Sequence, residues 1–144
     1  MGLNWLLNRW HAGQNAILAD EMGLGKTAQT VSFLEHLYRV NHVRGPFLIV
    51  CPLSTMEHWR REFEVWTAMT VCVYHDRPEG RAIIRDMEWF CEGAGSTALK
   101  FSVRAGVERG VHSYSGMLDI CARREVVVAG AHVFFACGPL SRSW

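Results

Sequence analysis

The sequence predicts an α/β fold in which a mainly parallel sheet is flanked by helices, and three observations carry that expectation. Short apolar runs of the kind buried in parallel sheets occur at Ala16 to Ala19 and Pro46 to Pro52, and Thr70 to His75 is a third, alternating and β-rich run. After each run comes a stretch whose apolar residues fall at helical spacing, and strands alternating with helices in this way build βαβ units. The first strand is joined to its helix by a glycine loop ending in Gly-Lys-Thr, which fixes where chemistry is to be sought.

At 144 residues, 49% apolar and 20% charged, the chain is long enough for one domain with a real core. Fifteen basic residues stand against fourteen acidic ones, so there is no overall field to attract nucleic acid, and any such contact must come from local patches. The five cysteines are odd in number and widely spaced. None sits in a CxxC pair or at zinc-ligand spacing with histidine, which predicts free thiols and no metal site beyond Mg²⁺. Asn4, Asn8 and Arg9 interrupt the apolar opening before it reaches signal-peptide length, and no run approaches a membrane span. A membrane partner is therefore not expected.

Gly2 to Ala12 suits an amphipathic helix with Leu3, Leu6, Leu7 and Trp10 on one face. Ala16 to Ala19 then forms the first strand, Asp20 to Gly25 turn the chain sharply, and Lys26 and Thr27 open a helix. Val31, Leu34, Leu37 and Tyr38 mark the buried stripe of that helix, leaving Gln29, Ser32 and Arg39 for solvent.

Gly23 and Gly25 lack side chains that would hold an anion off the backbone, so successive N–H groups can cradle phosphate at the positive end of the helix. Lys26 adds a point charge for the β and γ phosphates, and the Thr27 hydroxyl is a ready Mg²⁺ ligand. Asp20, Glu21, Met22, Gly23, Leu24, Gly25, Lys26 and Thr27 are thus the candidate nucleotide-binding residues. The strict pattern GxxxxGKS/T fails only at Asp20, which stands where the first glycine would be.

Asn41 to Gly45 reads as a polar linker and PFLIVCP as the second strand. Ser54 with Glu57 three residues on predicts a capping box for the next helix, with Leu53 as its staple and Trp59, Phe63 and Trp66 on its buried face. Thr70 to His75 alternates as a third strand, and Pro78 to Phe90 reads as a third core helix with Pro78 in its first turn. Cys91 to Ala98 is a Gly/Ser/Ala loop, and Leu99 to Val103 is the expected fourth strand.

DEMGLGKT at positions 20 to 27, preceded by ILA, resembles the nucleotide-binding motif of the Snf-type branch of superfamily 2 helicase-like ATPases. PFLIVCPLSTMEHWRREFEVW, at 46 to 66, is similar to the second motif of that family. GRAIIRDMEWF and EVWTAMTVCVYH look most like its chromodomain helicase DNA-binding remodelers. The resemblance covers roughly positions 2 to 103 and implies a P-loop NTPase fold, an incomplete RecA-like lobe with ATP and Mg²⁺ as cofactors. It further implies DNA and nucleosomes as partners of the complete protein, chromatin remodeling driven by ATP hydrolysis, and a place in the nucleus. Pro52, Leu53, Ser54 and Thr55 match the stretch that touches the DNA backbone in the family, and free N–H groups at a helix start suit a phosphate. A GLNWL segment follows an adenine-reading glutamine in the family, but no residue of this chain matches that glutamine.

The family pattern would continue into a strand ending in Asp-Glu-Ala-His, whose acids hold Mg²⁺ and orient the attacking water. Here Val126 to Val128 is strand-like and is followed by Ala129, Gly130, Ala131 and His132, with both acids missing. Residues 1–103 are therefore expected to form the N-terminal part of the lobe, and 104–144 a tail that is either divergent or frame-shifted. Such a tail is expected to leave the sheet edge beside the glycine loop open and to support no turnover. The alternative function is an inactive truncated product or an interaction module. A small kinase or GTPase would need an acid at a strand end or a base-reading NKxD, and neither occurs.

Overall fold

The computed structural model describes residues 2–21, 23–43, 47–88, 103–107, 127–129 and 133–135. Their order is α1 (Gly2–His11), β1 (Ala16–Leu18), α2 (Lys26–Arg39), β2 (Phe47–Cys51), α3 (Leu53–Trp66), β3 (Val71–Tyr74), α4 (Pro78–Glu88), β4 (Val103–Val107), β5 (Val127–Ala129) and β6 (Val133–Phe135). Four strands form a sheet in the order β3-β4-β2-β5, and every neighbouring pair in it is parallel. Phe47 lies opposite Val103 and Cys51 opposite Val107, while β5 flanks the other side of β2 with Leu48 opposite Val127. The expected parallel α/β character is present.

The strand before the glycine loop lies elsewhere. β1 pairs antiparallel with β6, Ala16 against Phe135 and Leu18 against Val133, in a separate two-stranded sheet. A strand inside a parallel sheet is covered on both faces. β1 is covered on one, with Ala16 and Leu18 buried and Ile17 55% exposed. The central sheet therefore does not include the strand that leads into the loop, which corrects the expectation of a fully buried run. Residues beyond Val103 supply β5 beside β2 and β6 beside one side of β1, and among the described residues no strand joins β1 to the central sheet.

The fourth strand is displaced from its expected place. It runs from Val103 to Val107 between β2 and β3, and residues 99–102 lie outside the described residues. Arg104 and Gly106 hid it from the sequence, since a charge and a glycine both argue against a central strand.

The core lies where α1, α2 and α3 meet the strands. Val31, Leu34 and Leu37 of α2 are buried as the helical spacing requires, and so are Thr30 and Phe33. α2 packs against both α1 and α3, so it buries a wider face than a single stripe. Phe33 meets Trp10 of α1 edge to face, with ring centroids 6.4 Å apart.

In α3 the buried stripe is Met56, Trp59 and Phe63. Trp66, expected there too, is 62% exposed and donates its indole N–H to Glu62 at 3.0 Å. The helix stops at Trp66, Thr67 turns extended, and the buried Met69 covers the core beyond it.

The capping box does not form. The cap lies two residues earlier than expected, at Pro52, with Ser54 already inside the first turn, where its hydroxyl cannot reach back to cap the helix. Thr55 closes the turn instead, its N–H and its hydroxyl both donating to the Pro52 carbonyl at 3.0 Å. Leu53 is 51% exposed and staples nothing. Glu57 is drawn to Arg60 and Arg61, and the Arg60 hydrogen bond, helped by both guanidinium charges, holds its carboxyl at about 2 rather than the usual 4.5.

Candidate phosphate loop

Every part of the candidate site hangs on the connection from β1 to α2. Asp20 is half-buried and Glu21, Gly23, Leu24 and Gly25 are exposed, while Met22 lies outside the described residues. Gly23 adopts φ +89° and Gly25 φ +70°, ψ +32°, both left-handed conformations that glycine enters without the steric cost met by other residues. A methyl group at either position would meet nothing within 4 Å, so it is backbone conformation rather than crowding that calls for glycine there.

Lys26 and Thr27 open α2 directly after Gly25. The Lys26 side chain bends back over the loop, its Nζ donating to the Asp20 carbonyl at 2.6 Å and to the Glu21 carbonyl at 2.9 Å. The Thr27 side chain is half-buried in the first turn. Thr30, one turn on, is buried and donates its hydroxyl to the Lys26 carbonyl at 2.8 Å within the same helix.

One residue of the arrangement was not expected from the sequence. Gln29 was assigned to solvent, yet it is half-buried, and its amide donates to the Leu24 carbonyl at 2.8 Å. Its main-chain N–H takes the neighbouring Gly25 carbonyl at 2.9 Å. A polar residue three positions into a helix carries no sequence signal for such a role.

The outcome is a loop whose carbonyls at 20, 21, 24 and 25 are engaged by Lys26 and Gln29. The N–H groups of Gly23, Leu24 and Gly25 make no hydrogen bond among the described residues. N–H groups left over at the start of a 14-residue helix, with an ammonium beside them, fit a polyphosphate. Among the described residues no group of three or more His, Cys, Asp or Glu could hold a metal ion.

Residues 52–55 form a second exposed cluster at the start of α3, and among the described residues no hydrogen bond joins them to the glycine loop. No side chain caps that helix, and of its first three N–H groups the Thr55 N–H is taken by the Pro52 carbonyl, so those of Leu53 and Ser54 make no hydrogen bond among the described residues.

A family model described as the SNF2-related domain matches residues 1–127. Chromodomain-helicase-DNA-binding protein 8 of Xenopus tropicalis is 52% identical over 91 residues, which is 63% of this chain and 4% of that protein. Chromodomain-helicase-DNA-binding protein 6 of Mus musculus is 51% identical over 98 residues, 68% of this chain and again 4% of the relative. The chain thus spans about 4% of the length of these relatives. A solved structure, the Sulfolobus solfataricus SWI2/SNF2 ATPase core in complex with dsDNA, superposes with a TM-score of 0.57 over 88% of this chain and 24% of that one, at 24% identity, a likeness of fold. With the family model running from the first helix through the loop and the sheet strands β2 to β4, the chain belongs to the SNF2-related domain family, and within it resembles the chromodomain-helicase-DNA-binding proteins.

Proposed function

We propose that this chain is the nucleotide-binding part of an ATP-driven, DNA-dependent remodeler of chromatin, acting in the nucleus. The observation that carries the reading is the glycine loop, whose left-handed Gly23 and Gly25 and bent-back Lys26 leave backbone N–H groups for phosphate. In this reading Asp20 to Lys26 hold the phosphates of ATP and Thr27 contributes its hydroxyl to Mg²⁺. The metal, when bound, neutralises phosphate charge. Family membership and the name of the DNA-bound structural neighbour support the assignment of DNA as partner.

The same reading separates binding from turnover. A water attacking the γ phosphate needs a carboxylate to orient it, and the residues after β5 are Gly130, Ala131 and His132. We therefore propose 104–144 as a divergent or frame-shifted tail that does not restore the acids. The purified chain is expected to bind Mg-ATP yet release no phosphate, with or without double-stranded DNA. DNA-stimulated hydrolysis that disappears in Lys26→Ala would overturn the proposed inactivity and assign the attacking water to residues outside the family pattern.

Pro52, Leu53, Ser54 and Thr55 are proposed to meet the DNA backbone, supported by their exposure and by the uncapped helix start behind them. Such a contact reads phosphate and not bases. In a protein carrying both lobes, replacing Ser54 and Thr55 together by alanine is expected to weaken DNA binding equally for unrelated sequences and to flatten its salt dependence. An unchanged salt slope would reduce the loop to a helix start.

A further inference from the structure

An anion cradle needs its N–H groups aimed inward, and in a trans peptide the C=O and the N–H point in opposite directions. Whatever holds a loop carbonyl away from the anion therefore aims the next N–H toward it. At the apex, where Leu24 is 59% exposed and Gly25 is left-handed, the Leu24 carbonyl is taken by the Gln29 side chain at 2.8 Å. The same residue's main chain takes the Gly25 carbonyl at 2.9 Å.

A second observation comes from the other end of the Gln29 amide. Its Oε1 is buried without a hydrogen-bond partner among the described residues, an uncommon state for an acceptor. It lies against Gly2 at the start of α1, so close that a methyl group there would sit 1.8 Å from it. Gly2 thus lies over the amide, and the Leu24 carbonyl, an acceptor, selects the orientation in which Nε2 faces the loop. Turning the amide would set Oε1 against the Leu24 carbonyl, acceptor against acceptor, so the unpaired oxygen is what accompanies the bond to the loop.

We propose that Gln29 is a positioning residue of the phosphate loop: by holding the Leu24 carbonyl outward it aims the Gly25 N–H at the anion, and the absent side chain of Gly2 is what lets α1 hold it there. The proposal rests on the nucleotide-binding reading above. It assigns to the first helix a part in setting the loop's affinity.

The test uses the full chain, Mg-ATP as probe, and two readouts, the dissociation constant and the unfolding midpoint without nucleotide. Gln29→Met keeps length and bulk, removes the donor and also removes the unpaired acceptor. It is expected to weaken Mg-ATP binding about three- to tenfold while the midpoint stays level or rises. A loss of affinity matched by a parallel fall in the midpoint would mark a structural role only and overturn the proposal, as would unchanged affinity.

Gly2→Ala displaces the amide without altering it, and is expected to weaken binding in the same direction but to add nothing when combined with Gln29→Met. It also decides the matter if Gln29→Met does not fold, since unchanged affinity in Gly2→Ala overturns the proposal alone. Lys26→Ala is measured alongside. If it too leaves affinity unchanged, the nucleotide reading falls and this proposal with it; if it weakens binding while Gln29→Met does not, only the positioning role falls.

Discussion

Replacing Lys26 by alanine is expected to weaken Mg-ATP binding by roughly ten- to a hundredfold, since a charge-assisted contact to phosphate contributes about 1.5 to 3 kcal/mol. Lys26 is the one side-chain cation between positions 20 and 27, so no neighbour within the loop can take over its charge. Its hydrogen bond to the Glu21 carbonyl is exposed and that to the Asp20 carbonyl only partly buried, so water can replace the ammonium there. The unfolding midpoint should accordingly move little, which separates loss of binding from loss of fold. Titration of a fluorescent ATP analogue against both proteins measures the effect, and equal dissociation constants would remove the phosphate-loop assignment.

The largest effect on stability is expected in α3. Phe63 is 1% exposed and stacks on Trp59 with ring centroids 6.3 Å apart, so Phe63→Ala deletes a ring from the centre of the core. Such truncations cost about 3 to 5 kcal/mol, a large share of the total stability of a small domain. Trp66→Ala, at the exposed end of the same helix, should cost under about 1 kcal/mol. Urea denaturation of the two variants checks the contrast. Equal losses would mean that the packing of α3 is not as described.

That contrast also marks what the sequence could reveal. Helical spacing alone put Trp59, Phe63 and Trp66 on one line, and the first two are buried. Trp66 escapes because the helix ends beneath it, and helix ends are set by the extended Thr67 and the buried Met69 rather than by periodicity. The start of α3 was misplaced for a similar reason. Ser54 and Glu57 have capping-box spacing, but Pro52 already sits at the cap and Arg60 competes for the glutamate.

The conformation of the glycine loop was legible because it is set locally. Two glycines, a lysine and a threonine at fixed offsets between a strand and a helix need nothing distant to define them, and the positive φ values at Gly23 and Gly25 follow directly. What was not legible depends on partners far along the chain. Pairing of β1 with β6 joins Ala16 to Phe135, and the burial of Gln29 depends on Gly2. No window of sequence around either residue contains the other half of the contact.

The central claim is that residues 20–27 bind the phosphates of a nucleotide through their backbone. Amide proton and nitrogen shifts, recorded for the full chain as Mg-ATP is added, test it most directly. The account predicts that the amides of Gly23, Leu24, Gly25, Lys26 and Thr27 move furthest and saturate together, and that Lys26→Ala displaces the saturation point to higher nucleotide. Shifts confined to residues outside the loop, or none at millimolar Mg-ATP, would contradict it.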